Sequence, residues 1–251
     1  MDQKVIITGS RGIAAGLAQA LNERNYEIYL IGGEKSDCEA LEKSCSNIVG
    51  FSAIDLRDEK QTEDAFAKAI SKLKGLDHVV SIVGGSGRSF GDGAIEDITK
   101  SAWDKTLELN LTTAFLTARE AIKYFKSNGP GSLTLTSSAL AISPSPEHFK
   151  THAYAAAKGA INTLVTTLSS TYLDKKIRVN AVSPSLVATP MAARAAENQI
   201  ISEFTSRKQP LIGNQLPVEN VVSGYIYLIE NPAVTGQVLE IDGGWSAISG
   251  V

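Results

Sequence analysis

Cysteine is scarce: Cys38 and Cys45 are the only two in 251 residues, too few for a disulfide framework or a four-thiolate metal site, and a reducing cytoplasm fits them. Charge of either sign is not in excess. Against 24 basic residues stand 27 acidic ones, and the formal net charge of −3 offers no basic footprint for nucleic acid. No apolar run is long enough to cross a bilayer, and strand-like residues begin at Lys4, leaving no room for a signal peptide. Among the histidines, His148 and His152 are four apart but have no acidic partner at matching spacing, so no metal is assigned. No proline- or serine-rich linker divides the chain. The expectation is one domain over residues 1–251, soluble and cytoplasmic, with neither a nucleic-acid nor a membrane partner.

What is present is alternation. Strand-like runs at about residues 4–8, 27–31, 49–54, 77–83, 132–137, 177–182 and 237–241 are separated by helical stretches. That order predicts an α/β fold, a doubly wound, seven-stranded parallel sheet with helices on both faces. Ligands are expected outside the carboxyl ends of its strands.

Several chemistry-bearing motifs fall at such ends. Tyr154 and Lys158 are four apart in Tyr154-Ala155-Ala156-Ala157-Lys158, which places both on one helix face, a phenol beside an ammonium. A neighbouring positive charge favours phenolate and draws the tyrosine towards the range of a general acid and base. On an isolated helix the same spacing describes a tyrosine packed along a lysine stem. At the amino terminus the strand Lys4-Val5-Ile6-Ile7-Thr8 runs into Gly9-Ser10-Arg11-Gly12-Ile13 and then a helix to about Leu21, an arrangement that turns sharply and presents free amides to a pyrophosphate. Asn110 interrupts a long helix expected from Trp103 towards Phe125. Ser137-Ser138 closes one strand, and Asn180-Ala181-Val182-Ser183-Pro184 closes another.

Together, in this order, these motifs resemble the short-chain dehydrogenase/reductase family, in its compact branch, from Thr8-Gly9 to the closing Asp242-Gly243-Gly244. The resemblance implies a Rossmann fold and an NAD(P)-dependent oxidoreductase that moves hydride between a nicotinamide and a small carbonyl or alcohol substrate. It implies Asn110, Ser138, Tyr154 and Lys158 as catalytic residues. For the cofactor it implies Gly9, Ser10, Arg11, Gly12 and Ile13 at the pyrophosphate, Asp55 and Leu56 near the adenine, and Gly84, Pro184, Val187 and Thr189 nearer the nicotinamide, with Tyr154 and Lys158 again. Ser138 would hold the substrate oxygen, Tyr154 would exchange its proton, Lys158 would bind ribose hydroxyls, and Asn110 would hold a water linking Lys158 to solvent. A homo-oligomer, dimer or tetramer, is implied through the helices bearing Asn110 and Tyr154. The alternative is a non-catalytic cofactor-binding or scaffolding protein on the same fold.

The chain departs from the family pattern in three places. Gly9 and Gly12 have two residues between them where three are usual, and Ala14 stands for the last glycine; read as Gly9, Gly12 and Ala15 the turn resembles the extended branch. The Asn-Asn-Ala-Gly motif is Ser81-Ile82-Val83-Gly84, and Ser185 stands where Ser-Pro-Gly has glycine. No acid ends the second strand, and Arg11 lies where relatives meet a 2′-phosphate, so NADP is expected with NAD as the alternative. Residues 139–151 read as a rigid loop and 186–209 as a helical lid. The glycine-rich segment 84–93 reads as a flexible connection or a closing loop, with Arg88 a candidate for an anionic substrate group.

Overall fold

The apolar runs become strands, the central ones buried on both faces and the two at the sheet's edges only partly buried. In the computed structural model, which describes residues 3–248, β1 (Lys4–Thr8), β2 (Glu27–Gly32), β3 (Ile48–Ala53), β4 (His78–Ser81), β5 (Gly131–Thr136), β6 (Ile177–Pro184) and β7 (Val238–Ile241) pair in parallel. Their order in the sheet is β3-β2-β1-β4-β5-β6-β7. The winding reverses between β1 and β4, and there the diverging connections open a crevice at the strands' carboxyl ends.

Two cores follow from the alternation of side chains along each strand. Val5, Ile7, Ile28 and Leu30 pack against α1 (Ile13–Asn22), α2 (Lys35–Ser44) and α9 (Val218–Glu230). Ile6, Tyr29, Leu133 and Val179 face the other way, against α3 (Glu59–Leu73), α5 (Thr113–Asn128) and α6 (His152–Thr171). Close packing of α1 on α9 depends on Gly16, because a Cβ there would lie 2.6 Å from Val218 Cγ1. The remaining helices are α4 (Lys100–Leu107), α7 (Ala193–Glu197) and α8 (Gln199–Lys208).

The expected elements differ in detail. β4 stops at Ser81 rather than residue 83, because the amides of Ile82 and Val83 turn to Thr8 Oγ1 at 3.0 and 3.4 Å and leave the ladder. β6 runs on to Pro184. The long helix expected through Asn110 is α4 and α5 joined by one π turn, Glu108–Thr112.

At the opposite end of the sheet, buried His78 bonds Ser132 Oγ through Nδ1 at 2.7 Å and Gln3 Oε1 through Nε2 at 3.1 Å. Burial lowers its pKa to about 4, from an ordinary value of 6.5. Between those values the unfolded chain takes up a proton that the folded chain refuses, so stability present above pH 6.5 is lost as pH falls towards 4. The loss should be on the order of 3 kcal/mol and should be largely absent in His78→Gln. Urea unfolding of both proteins at pH 7 and pH 4.5 checks this.

Candidate active site

A cleft of about 620 Å³ opens above the carboxyl ends of the central strands. One end is built by the turn after β1. Gly9 (φ 104°) and Gly12 (φ 55°) occupy left-handed conformations that disfavour side chains. Gly9 N donates to Ile31 O at 2.7 Å, tying the turn to β2. A Cβ on Gly12 would lie 3.0 Å from Thr189 Cγ2, so only glycine lets this turn meet the loop after β6 so closely. The start of α1 has no capping side chain, and although Ala14 N donates to Arg11 O at 3.1 Å, Ile13 borders the cleft with its helix-start amide available to an anion. The shorter turn therefore still makes a cradle, and its residues fit a dinucleotide pyrophosphate.

At the other end α6 presents Tyr154 and Lys158, one turn apart, on the cleft wall. Lys158 is only 2% exposed, and its Nζ donates to Thr136 O, the last carbonyl of β5, at 2.7 Å. Burial lowers its pKa to about 8. The ammonium lies 5.6 Å from the Tyr154 ring centroid. Tyr154 shows a correction to the expected electrostatics: burial pushes its phenol above 10, opposed by the Ser138 hydroxyl, and Lys158 does not reverse this. The physical reason is that the ammonium is directed at Thr136 O and the ring is desolvated. Ser138, at the end of β5, also borders the cleft, its Oγ accepting from Leu140 N at 3.3 Å.

Asn110 braces this arrangement from behind. Fully buried in the π turn, it accepts from Gly85 N at 3.0 Å and donates from Nδ2 to Gly85 O and Thr106 O, both at 2.9 Å. A Cβ on Gly84 would come within 2.7 Å of Asn110 Oδ1 and 3.3 Å of Lys158 Nζ, which accounts for a glycine in an otherwise altered motif. The glycine-rich segment is pinned rather than loose. Asp92 accepts from Ala153 N and Tyr154 N at 3.0 and 2.9 Å, capping α6 from sixty residues away. Gly87 (φ 72°) allows the fold-back, as a Cβ would lie 2.5 Å from Thr106 Oγ1.

Sequence and structure comparisons point the same way. The family model described as "Enoyl-(Acyl carrier protein) reductase" matches residues 7–246. A short chain dehydrogenase/reductase of Cryptosporiopsis sp., dmxR18, is 33% identical, with 97% of this chain and 96% of that protein covered. The chain belongs to the short-chain dehydrogenase/reductase family. A short-chain type dehydrogenase/reductase from Mycobacterium ulcerans superposes with a TM-score of 0.90 at 25% identity, over 98% of this chain and 90% of that one. The structure of ElxO with NADP bound has the same fold, with a TM-score of 0.88 at 24% identity over 99% and 100% of the two chains. As a short-chain dehydrogenase/reductase, the protein is an oxidoreductase.

Of the residues expected in the site of this family member, Gly9, Ser10, Arg11, Gly12, Ile13, Gly84, Ser138, Tyr154, Lys158, Pro184, Val187 and Thr189 all border the cleft. Asn110 stands behind it, its amide committed to Gly85 and Thr106 rather than aimed at Lys158. Asp55 and Leu56 do not border it: Arg57 engages the Asp55 carboxylate at 2.6 Å and holds its pKa low, and Leu56 is buried in the core. Arg11 is exposed and pairs with Asp37 at 3.0 Å.

Sequence reasoning missed the aromatic wall. Phe149 and Trp245 meet edge to face at 5.6 Å, and Phe204 of α8 packs on both, fastening the expected lid to the loop before α6. The signal available was weak: aromatic residues spread over residues 149–245 whose meeting depends on tertiary structure. His148 packs on Phe204 at 4.6 Å, and His152 is exposed at the start of α6.

The buried ammonium predicts a pH effect. From pH 8 to about 10.5 the folded chain has released the Lys158 proton and the unfolded chain still holds it, so unfolding free energy rises with pH. Relative to Lys158→Met, the wild-type protein should gain on the order of 2 kcal/mol between pH 7.5 and 9.5, read by urea unfolding.

Proposed function

We propose that residues 1–251 form one dinucleotide-binding and catalytic unit that interconverts a small carbonyl compound and its alcohol. The observation that carries this reading is the sharing of one cleft: the Gly9–Gly12 cradle at one end and Ser138, Tyr154 and Lys158 at the other. A nicotinamide dinucleotide bound there supplies or accepts the hydride. The turn amides and Ile13 would hold its pyrophosphate, Lys158 its ribose hydroxyls, and Val187 and Thr189 its carboxamide end.

The chain's own residues handle position and protons. Ser138 hydrogen-bonds the substrate oxygen and sets it against the phenol. In reduction Tyr154 Oη gives its proton to the oxygen as negative charge develops there; in oxidation it takes the proton back. A phenol whose pKa burial holds high is the proton-loaded form at neutral pH, which suits the acid role. Lys158, bonded to Thr136 O, is a fixed positive charge that stabilises the phenolate left after transfer. Asn110 and Gly84 keep the space around Nζ open and in register.

NADP is the proposed cofactor in preference to NAD. Arg11 stands at the turn, and its exposed pair with Asp37 is worth about 1 kcal/mol or less, so a phosphate can replace it. A homo-oligomer is proposed through the α5–α6 face. There Leu111, Phe115 and Leu164 line an open apolar groove, with Phe115 47% exposed. Among the described residues no helix is long and apolar enough to cross a membrane, and a cytoplasmic location is proposed on the two buried free cysteines.

Tyr154→Phe should lower kcat by about 10²-fold or more while leaving cofactor affinity within a few-fold. Stopped-flow turnover paired with a cofactor titration checks this, and unchanged turnover would remove Tyr154 from the chemistry. The proposed α5–α6 pairing predicts that Phe115→Glu shifts the protein to a smaller species in sedimentation velocity.

A further inference from the structure

Arg88 is a cation in the wall of the cleft that forms no salt bridge among the described residues. It begins the short turn Arg88–Phe90, half-buried, and lines the same cavity as Ser138 and Tyr154. Its guanidinium carries five N–H donors. One of its nitrogens, Nη2, donates to His148 O at 3.2 Å, and the guanidinium lies over the Phe149 ring, 5.6 Å from its centroid. Among the described residues no carboxylate is within ion-pair distance of it. Asp92 lies close enough to favour the charge in part, but both its oxygens are committed to the amides that begin α6. Burial disfavours the charge most, Arg194 on α7 adds to this, and Asp92 offsets only the smallest part.

A tether for the loop does not explain this arrangement. Asp92 and Gly87 already fasten residues 84–93 to α6 and α4, and a neutral side chain could supply the single bond to His148 O. A half-buried guanidinium with spare donors is costly unless something neutralises it. The wall around it is apolar and aromatic, made by Phe149, Trp245 and Leu140, and it runs to the catalytic serine and tyrosine.

We infer that the substrate carries an anionic group, a carboxylate in the first instance, received by Arg88, with an apolar or aromatic spacer along the Phe149–Trp245 wall between that group and the reacting carbonyl. The guanidinium fork accepts a carboxylate through two parallel hydrogen bonds, which fixes the far end of the molecule while Ser138 fixes the oxygen. The identity of the reacting group rests on the oxidoreductase reading above; the binding of the anion does not.

The test separates the two. 3-Phenylpropionate and its amide, equal in size and differing in charge, are titrated into the full chain by calorimetry, with and without saturating NADPH. The carboxylate should bind about tenfold or more tightly than the amide, and Arg88→Gln should abolish the preference without weakening amide binding. Arg88→Lys should retain part of it, and added salt should erode it. A purely structural Arg88 would instead weaken both probes together. Equal binding of acid and amide to the wild-type protein, or a preference that survives Arg88→Gln, overturns the inference. Keto acids and their methyl esters are then compared as substrates with NADPH and NADH. A carboxylate preference in binding with no turnover of any carbonyl compound leaves the anion site standing and removes the proposed carbonyl–alcohol interconversion instead.

Discussion

The hydrogen bond from Lys158 Nζ to the carbonyl of Thr136 is the constraint around which the site is arranged. It buries a positive charge at the carboxyl end of a central strand, where the sheet's last carbonyls face the cleft. An ammonium in that position needs acceptors, and the fold supplies one from the backbone, a group that no side-chain substitution can remove. The strand end is itself held: Thr136 Oγ1 donates to Ser81 O at 2.6 Å, while Tyr225 donates to Thr136 Oγ1 at 2.6 Å. Ser137 reaches across to Asn162 and the Lys158 carbonyl, so that β5 and α6 are stitched at the level of the catalytic residues. Helix, strand and charge are therefore one unit, and Tyr154 takes its place from it.

The surrounding loops are shaped by what that unit excludes. Gly84 has no side chain because Asn110 and Lys158 occupy its space, and Asn110 in turn uses all three of its amide hydrogen bonds to hold the chain at Gly85 and Thr106. The extra residue of the π turn aims Asn110 inward, where a regular helix would carry it elsewhere. Asp92 performs a similar service for α6, whose own N-cap position, Thr151, makes no side-chain cap. Apart from the local bond to Thr106, each of these contacts joins residues at least 25 apart in sequence and holds chain that borders the cleft.

Much of this is legible in the sequence alone. The sheet could be read because parallel strands buried on both faces leave continuous apolar runs, and the helix spacing of Tyr154 and Lys158 put them on one face. What could not be read depended on tertiary contacts. The early end of β4 comes from a hydroxyl in β1 taking the amides of Ile82 and Val83. The pinned loop comes from one carboxylate, Asp92, that looks like an ordinary turn residue in sequence. At Tyr154 the helix spacing shows the nearby lysine, whereas the burial that raises the phenol's pKa is set by tertiary packing. The ion pair that Asp55 makes with Arg57, two residues on, is likewise a detail that the sequence does not announce.

The central claim is that the short turn after β1 and the wall made by Tyr154 and Lys158 enclose one dinucleotide. Its most direct test is an equilibrium titration of the purified protein with NADPH and, separately, NADH, following energy transfer from Trp103 and Trp245 to the nicotinamide. The account predicts saturable binding in the micromolar range, about −8 kcal/mol, tighter for NADPH than for NADH. Protein shown to be folded that binds neither would contradict it, and would mean that the shortened turn and the Ile82–Val83 replacement have closed the cradle.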